Sequence, residues 1–146
     1  TGVIIKPDIK IWPEKVIEPD AVVAQNLVWG TKASKTIFGY RDVTGDINVS
    51  LTPEFASRLG SAFGSILKED SGIIVSSDGS NSAAIIKEAL ISGVLSTGIG
   101  VISIEDAAVP IMRFAVRFYR AEGGVHIWKD YVEENKVHLE FSNSKG

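Results

Sequence analysis

The run Ser77-Asp78-Gly79-Ser80-Asn81-Ser82 sets three hydroxyls, a carboxylate and a glycine in six consecutive positions. Ahead of a helix, such a loop could cradle a phosphate through backbone N–H groups that lack helical partners. The same composition also makes an ordinary, well-capped turn between strand and helix. Ser77, Asp78, Ser80 and Ser82 are therefore candidate phosphate-binding residues, with the capped turn as the simpler reading. His126 and His138 could serve as metal ligands together with Asp130 or Glu140. Both fall in strand-like segments with no third ligand at helix or hairpin spacing, so a structural role is expected and no metal. Trp12, Trp29 and Trp128 could stack on a sugar or base; Trp12 and Trp29 are instead expected to cover the open end of a repeat solenoid or contact the next domain, and Trp128 to plug a cleft where substrate would otherwise sit. Arg41-Asp42 and Lys129-Asp130 read as surface charge pairs.

Composition narrows the chemistry. The 146 residues are 45% hydrophobic and 23% charged, the balance of a globular protein. No apolar run approaches a bilayer span, so no membrane partner is expected. Net charge is −3 without a basic cluster, which argues against nucleic acid as a partner. There is no cysteine, so thiolate nucleophiles, disulfides and cysteine-based zinc sites are excluded. Lys6 and Asp8 interrupt the first apolar residues, so no signal peptide is read and a cytoplasmic location is expected. The chain opens on Thr1 rather than Met, which points to a processed or cut protein.

The candidate residues need elements to hold them. Thr52-Pro53-Glu54 is a helix start: a capping hydroxyl, a proline suited to the first turn and an acid at the positive end of the dipole. Phe55, Leu59, Phe63 and Ile66/Leu67 mark its inner face. Gly72 to Val75 reads as a buried strand, and a second helix runs from about Ala83 to Ser96 with Ile86, Leu90 and Val94 inward. Gly98 stands where a left-handed cap belongs. Gly100 to Ile104 is the next strand. Pro110 opens a third helix with Ile111, Phe114, Ala115 and Phe118 as its expected inner face. Val125 to Trp128 and the alternating Val137, Leu139, Phe141 complete the set, the last as an expected edge strand. The expected fold class is α/β, a mainly parallel βαβαβ sheet. Its ligands would bind beyond the carboxyl ends of the strands, at 76–82, 105–109 and 129–135.

The first thirty residues follow another rule. Ile5, Ile11, Ile17 and Val23 recur every six positions, and Pro7, Pro13 and Pro19 recur in step. A six-residue period suits a β-solenoid with three faces per coil, or else the segment is an irregular proline-containing arm. Residues 1–30 are thus expected to be the last coil of a hexapeptide β-helix, 31–45 a linker with a glycine-bearing loop, and 46–146 the α/β domain.

From Phe38 to Phe141 the chain resembles the first domain of the α-D-phosphohexomutases, the phosphomannomutase and phosphoglucomutase family. Phe38-Gly39 with Gly45 is similar to the opening loop F-G-T-S-G-x-R-G. Leu51-Thr-Pro-Glu-Phe55 resembles the family's first helix start, and Ile74-Val-Ser-Ser-Asp78 resembles V-V-G-x-D-x-R. Ile91-Ser-Gly-Val-Leu-Ser-Thr-Gly98 is similar to L-x-x-G-L-x-x-x-G, Phe114-Ala-Val-Arg117 to the motif after a helix-opening proline, and Gly123-Gly124-Val125 to G-G-I. The departures fall on the chemistry. The resemblance implies T-A-S-H-N-P next, whose serine carries the phosphoryl group; here Asp130 stands at the serine's place and Tyr131 at the histidine's. The opening-loop arginine is Thr44 and the arginine after Asp78 is Ser80. The family's magnesium motif, D-G-D-G-D, belongs to a later domain, so no cofactor is expected within these residues and Mg only in the parent family.

A hexapeptide β-helix ahead of such a domain resembles the bacterial mannose-1-phosphate guanylyltransferase-like fusion proteins, in which a left-handed β-helix lies between a nucleotidyltransferase and mutase-like domains. The resemblance implies a piece of a sugar-nucleotide biosynthesis protein whose mutase-like domain is non-catalytic, structural or regulatory. The alternative is an active intramolecular phosphotransferase domain that uses Asp130 and needs its missing partner domains. The expected partners are the other domains of the same chain, a sugar phosphate and further copies of the chain.

Overall fold

The computed structural model describes residues 2–11, 17, 22, 23 and 42–146. Two short strands, β1 (Ile4–Ile5) and β2 (Val22–Val23), pair in parallel, with Ile4 opposite Val22 and Ile5 opposite Val23. The remaining positions of the six-residue repeat up to residue 30, together with linker residues 31–41, lie outside the described residues. Residues 42–45, read as loop from sequence, are part of a strand.

The α/β domain runs β3 (Asp42–Asp46), α1 (Pro53–Ser65), β4 (Gly72–Ser77), α2 (Asn81–Leu95), β5 (Gly100–Ile104), α3 (Val109–Phe118), β6 (Gly123–Lys129) and β7 (Lys136–Asn143). The five-stranded sheet has the order β3-β7-β6-β4-β5. β4 pairs in parallel with β5 and β6, whereas β7 runs antiparallel to both β6 and β3. The sheet is therefore mixed, not mainly parallel. The cause is the short link from β6 to β7, which cannot hold the crossover that a parallel pair requires. Nor is β7 an edge strand. β3 pairs along its outer side, and Val137 and Leu139 are fully buried in the core beneath α1 and α2. Alternation of apolar and polar residues reports a two-faced strand and is silent about its neighbours.

α1 and α2 close one face of the sheet over Ile73, Val75, Val125, Ile127, Val137 and Leu139. Thr52 caps α1 as its sequence suggests, its Oγ1 accepting from the Phe55 N–H at 3.1 Å. Phe55, Leu59, Phe63 and Leu67 pack against the core, but Ile66 is exposed. The fully buried positions of α1 are Ala56, Gly60 and Gly64, a stripe of small residues at every fourth position. That stripe lies on α2. A Cβ at Gly60 would fall 2.2 Å from the Leu90 carbonyl oxygen, and one at Gly93 would fall 1.9 Å from that of Ser57. Ile86, Leu90 and Val94 point into the core as expected, and Gly98 adopts φ +84°, the left-handed region.

α3 lies on the opposite face over Ile74 and Ile104. Its inner residues are Met112, Ala115 and Val116. Of the four expected, only Ala115 is inward; Ile111, Phe114 and Phe118 are exposed. The helix carries two apolar stripes, and the slimmer one fits. Gly124 of β6 lets α3 approach so closely that a Cβ there would sit 2.5 Å from the Met112 sulfur. The bulkier stripe would hold the helix off the sheet. Among the described residues, no helix is long and apolar enough to cross a membrane.

Candidate functional site

The parallel strands β4 and β6 end in a crevice of about 230 Å³. Asp78, Ala107, Ala108, Val109, His126, Trp128 and Tyr131 line it. Each of the three loops beyond the strand ends contributes a wall.

The first wall is the turn from β4 to α2. Ser80 caps α2, its Oγ accepting from the Ala83 N–H at 3.3 Å. That hydroxyl donates to Asp78 Oδ1 at 2.7 Å, and the Ser80 N–H donates to the same oxygen at 2.9 Å. Asp78 Oδ2 accepts from the Lys129 N–H at 2.9 Å, which ties this turn to the end of β6. Burial alone would raise the Asp78 carboxyl, but the donors from Ser80 and Lys129 outweigh it and hold it below its ordinary value. Ser77 is buried and its hydroxyl donates to Glu105 Oε2 at 3.4 Å. Glu105 pairs with the buried Lys87, and that hydrogen bond lowers its carboxyl. Ser82 is half-buried in the first turn of α2. The Asp106 carboxylate lies over Gly79, where a Cβ would meet its Oδ1 at 1.7 Å. The four candidate phosphate residues thus span the junction from the last residue of β4 to the first turn of α2, and Asp78, Glu105 and Asp106 make its mouth acidic.

The floor is the α3 side of the sheet, where polar residues stand in two rows. Ser76, His126, Glu140 and Asp42 pair across four strands in one row; Trp128, His138 and Thr44 pair across three in the next. His126 is buried and its Nδ1 lies 2.8 Å from Ser76 Oγ. Burial pushes its imidazole down, with Asp78 and Glu140 opposing. Trp128 stacks at 5.5 Å on His126 and at 5.0 Å on His138. It forms a wall of the crevice and does not plug it. His138 is gripped at both nitrogens, Nδ1 by Asp42 at 3.1 Å and Thr44 at 2.9 Å, Nε2 by Asp130 at 2.9 Å. For Asp42, burial pulls upward, but the hydrogen bonds from His138 and Thr44 prevail and keep its carboxyl low.

Asp130 governs the third wall, the β6–β7 turn. Its Oδ1 accepts the N–H groups of Val132 at 2.7 Å and Glu133 at 2.8 Å, and its Oδ2 faces His138. The Glu133 N–H, then His138 and the Val132 N–H, lower its carboxyl to about 2. The carboxylate is therefore the latch of its own loop. The sequence offered His138 and Asp130 together only as possible metal ligands, and gave no sign of Thr44 and Asp42 beside them. Spacings of 8, 86 and 88 residues hide that cluster until β3, β6 and β7 pair.

Magnesium takes hard oxygen ligands in a near-octahedral set. Here the Asp78 and Asp130 oxygens are already claimed by N–H donors, and Glu105 by Lys87. Among the described residues, no group of three His, Asp or Glu is placed to hold a metal. These residues do not fit the ion.

Comparison with known proteins places this geometry. Residues 35–131 match the family described as phosphoglucomutase/phosphomannomutase, α/β/α domain I. A Pyrococcus horikoshii protein named as a probable phosphoglucosamine mutase is 42% identical over 90 residues, covering 62% of this chain and 20% of its own. The phosphoglucomutase/phosphomannomutase of Thermococcus kodakarensis is 37% identical over 116 residues, covering 75% of this chain and 25% of its own. A solved Thermus thermophilus structure, assigned as a phosphomannomutase, superposes with a TM-score of 0.67 at 24% identity, over 73% of this chain and 25% of that one. That likeness bears on the fold alone. The chain spans a fifth to a quarter of the length of the curated relatives named.

Proposed function

Because this chain belongs to the phosphoglucomutase/phosphomannomutase family, as its α/β/α domain I, we propose that it is a non-catalytic, mutase-like domain of a sugar-nucleotide biosynthesis protein. The observation that carries the reading is the state of Asp130. A phosphoryl-accepting carboxylate needs an oxygen free to attack in line. Both Asp130 oxygens are instead committed to the turn and to His138. The positive clamps that phosphoryl transfer requires are missing too, since Thr44 and Ser80 replace the family's arginines. Thr44 serves the Asp42–His138 network, and Ser80 serves the α2 cap.

The parent would be a cytoplasmic nucleotidyltransferase of the mannose-1-phosphate guanylyltransferase type, joined to this domain through a left-handed hexapeptide β-helix. The pairing of Ile5 with Val23 supports the solenoid, because 23 − 5 = 18 residues is the length of three hexads, one full coil. The domain's partners would be the remaining domains of the chain. A sugar phosphate taken by the segment Ser77, Asp78, Ser80 and Ser82, of which Asp78 lines the crevice and Ser77 is buried, would act as a regulatory ligand rather than a substrate.

The test is phosphorylation of the full-length protein by a hexose 1,6-bisphosphate, followed by mass spectrometry and hydroxylamine treatment. The proposal expects no phosphorylated peptide containing residue 130. A hydroxylamine-labile phosphopeptide there, lost in Asp130→Asn together with mutase turnover, would establish the active alternative instead.

A further inference from the structure

His138 meets more acceptors than a neutral imidazole can satisfy. Its Nδ1 lies 3.1 Å from Asp42 Oδ2 and 2.9 Å from Thr44 Oγ1, and its Nε2 lies 2.9 Å from Asp130 Oδ2. A neutral ring has one N–H and one lone pair, whereas an imidazolium donates from both nitrogens. The Thr44 hydroxyl directs its single hydrogen to Asp42 Oδ2 at 2.8 Å, so toward Nδ1 it can only accept. Every polar partner of the ring is therefore an acceptor, and the cluster is complete only when both nitrogens carry protons. Asp42 and Asp130 both lie below their ordinary values, so the shared proton belongs to the ring and not to an acid.

Stacking favours the same charge state. The ring lies 5.0 Å from the Trp128 indole and 10° from parallel to it, where a cation is attracted to the aromatic face. The His138 side chain is 17% exposed, so water replaces a lost partner poorly. The other charged and titratable groups around it are engaged elsewhere. On its own strand Lys136 pairs with Glu133, and Glu140 with Arg113 of α3. On β6 His126 also stacks on Trp128 and lies 2.8 Å from Ser76. Loss of one proton from His138 then has one favoured outcome. Retaining Nδ1–H keeps Asp42 and Thr44 as partners and turns the Nε2 lone pair toward Asp130 Oδ2. Retaining Nε2–H would instead set the Nδ1 lone pair against both Asp42 and Thr44, with one hydroxyl hydrogen among the three. The Asp130 side is the side that opens.

We propose that His138 is a charge-operated latch: its imidazolium fastens the β6–β7 turn, and with it the Tyr131 wall of the crevice, to β3 and β7, and loss of the Nε2 proton releases that turn. Histidine is the side chain whose charge ordinarily changes near neutral pH, which suits it to such a switch. On release Asp130 keeps its Oδ1 bonds to the Val132 and Glu133 N–H groups, so the turn loses its fastening and not its shape. Tyr131 lines the crevice yet is 88% exposed, so little packing of its own would hold that wall in place. The latch is separate from the proposed loss of catalysis, since Thr44 and Ser80 stand in the arginine positions in either charge state.

The experiment is long-range proton–nitrogen NMR of the imidazole rings of the 146-residue chain, from about pH 5 to about pH 9. The chain has two histidines, so His126→Asn assigns the remaining ring to His138. We expect His138 to carry protons on both nitrogens at the acid end and on Nδ1 alone at the alkaline end. Carbon-13 relaxation should show the backbone order parameters of Tyr131 and Val132 falling from about 0.85 toward about 0.6 across the same transition. Asp130→Asn should reverse the sense. Its oxygen can still accept from the turn, and its amide nitrogen donates to the bare Nε2 of a neutral ring but opposes an Nε2–H. His138→Gln should leave the order of the turn independent of pH. The inference is overturned by a His138 ring whose charge does not change in this range, by a neutral ring protonated at Nε2, or by a turn indifferent to the charge of the ring. An Asp130→Asn chain that keeps the parent's sense overturns it as well.

Discussion

Gly93→Ala tests the seam that seats α2, and with it the turn that carries Asp78 and Ser80. In an isolated helix the change would stabilise by about 1 kcal/mol, because alanine is the better helix former. In this fold the new methyl would fall 1.9 Å from the Ser57 carbonyl oxygen and 2.9 Å from the Ser61 nitrogen. Ordinary contact lies well beyond 3 Å, so α1 and α2 must part by about 1 Å or more. Parting them loosens Phe55, Leu59 and Phe63 on the sheet and strains the bond from Ser61 Oγ to the Gly93 carbonyl. Overpacking of this kind costs about 1–3 kcal/mol. A 1.9 Å approach to a backbone oxygen puts the cost at the upper end of that range, so the net expectation is destabilisation by about 2 kcal/mol, seen in urea as a lower midpoint with an unchanged slope. Ser92→Ala, the exposed neighbour on the same helix, should instead be neutral or stabilising by a few tenths of a kcal/mol. A Gly93→Ala protein as stable as the parent would refute the close seam.

Two further expectations concern titration. Asp130, lowered to about 2 by the Glu133 N–H, His138 and the Val132 N–H, should stabilise the β6–β7 turn above its unfolded value near 3.8 and cease to do so as pH falls through about 2. In proton–nitrogen NMR spectra the Val132 and Glu133 amides should move with that low midpoint, and the transition should vanish in Asp130→Ala; movement centred near 4 would contradict the latch. His126 is kept neutral by burial, so its folded value lies below 6.5 and the unfolded chain takes up the proton first. Stability from this residue is complete above pH 6.5 and declines as pH falls below it. Urea midpoints at pH 7.5 and 5.5 should show a smaller drop in His126→Asn than in the parent, and an equal drop would assign the loss elsewhere.

Helix starts, strand positions and inward residues were legible wherever one local rule settled them. Thr52-Pro53 had to cap, Gly98 had to take a positive φ, and Ile86, Leu90 and Val94 recur at a spacing that has one face. The residue types at Thr44, Ser80 and Asp130, on which the proposal of a non-catalytic domain rests, were legible as well. α3 shows where such rules stop. It presents two apolar stripes of similar merit, and periodicity cannot choose between them. The choice fell to Gly124, a residue of another strand that admits only a slim helix. The edge assignment of β7, the glycine seam of α1 on α2, and the Asp42–Thr44–His138–Asp130 network failed to show for the same reason. Each depends on which segments become neighbours, and residues up to 96 positions apart carry no mark of that in the chain. Local chemistry along the backbone therefore specified the elements and the residue type at position 130. Long-range packing specified what that aspartate does, a carboxylate bound into its own turn and to His138.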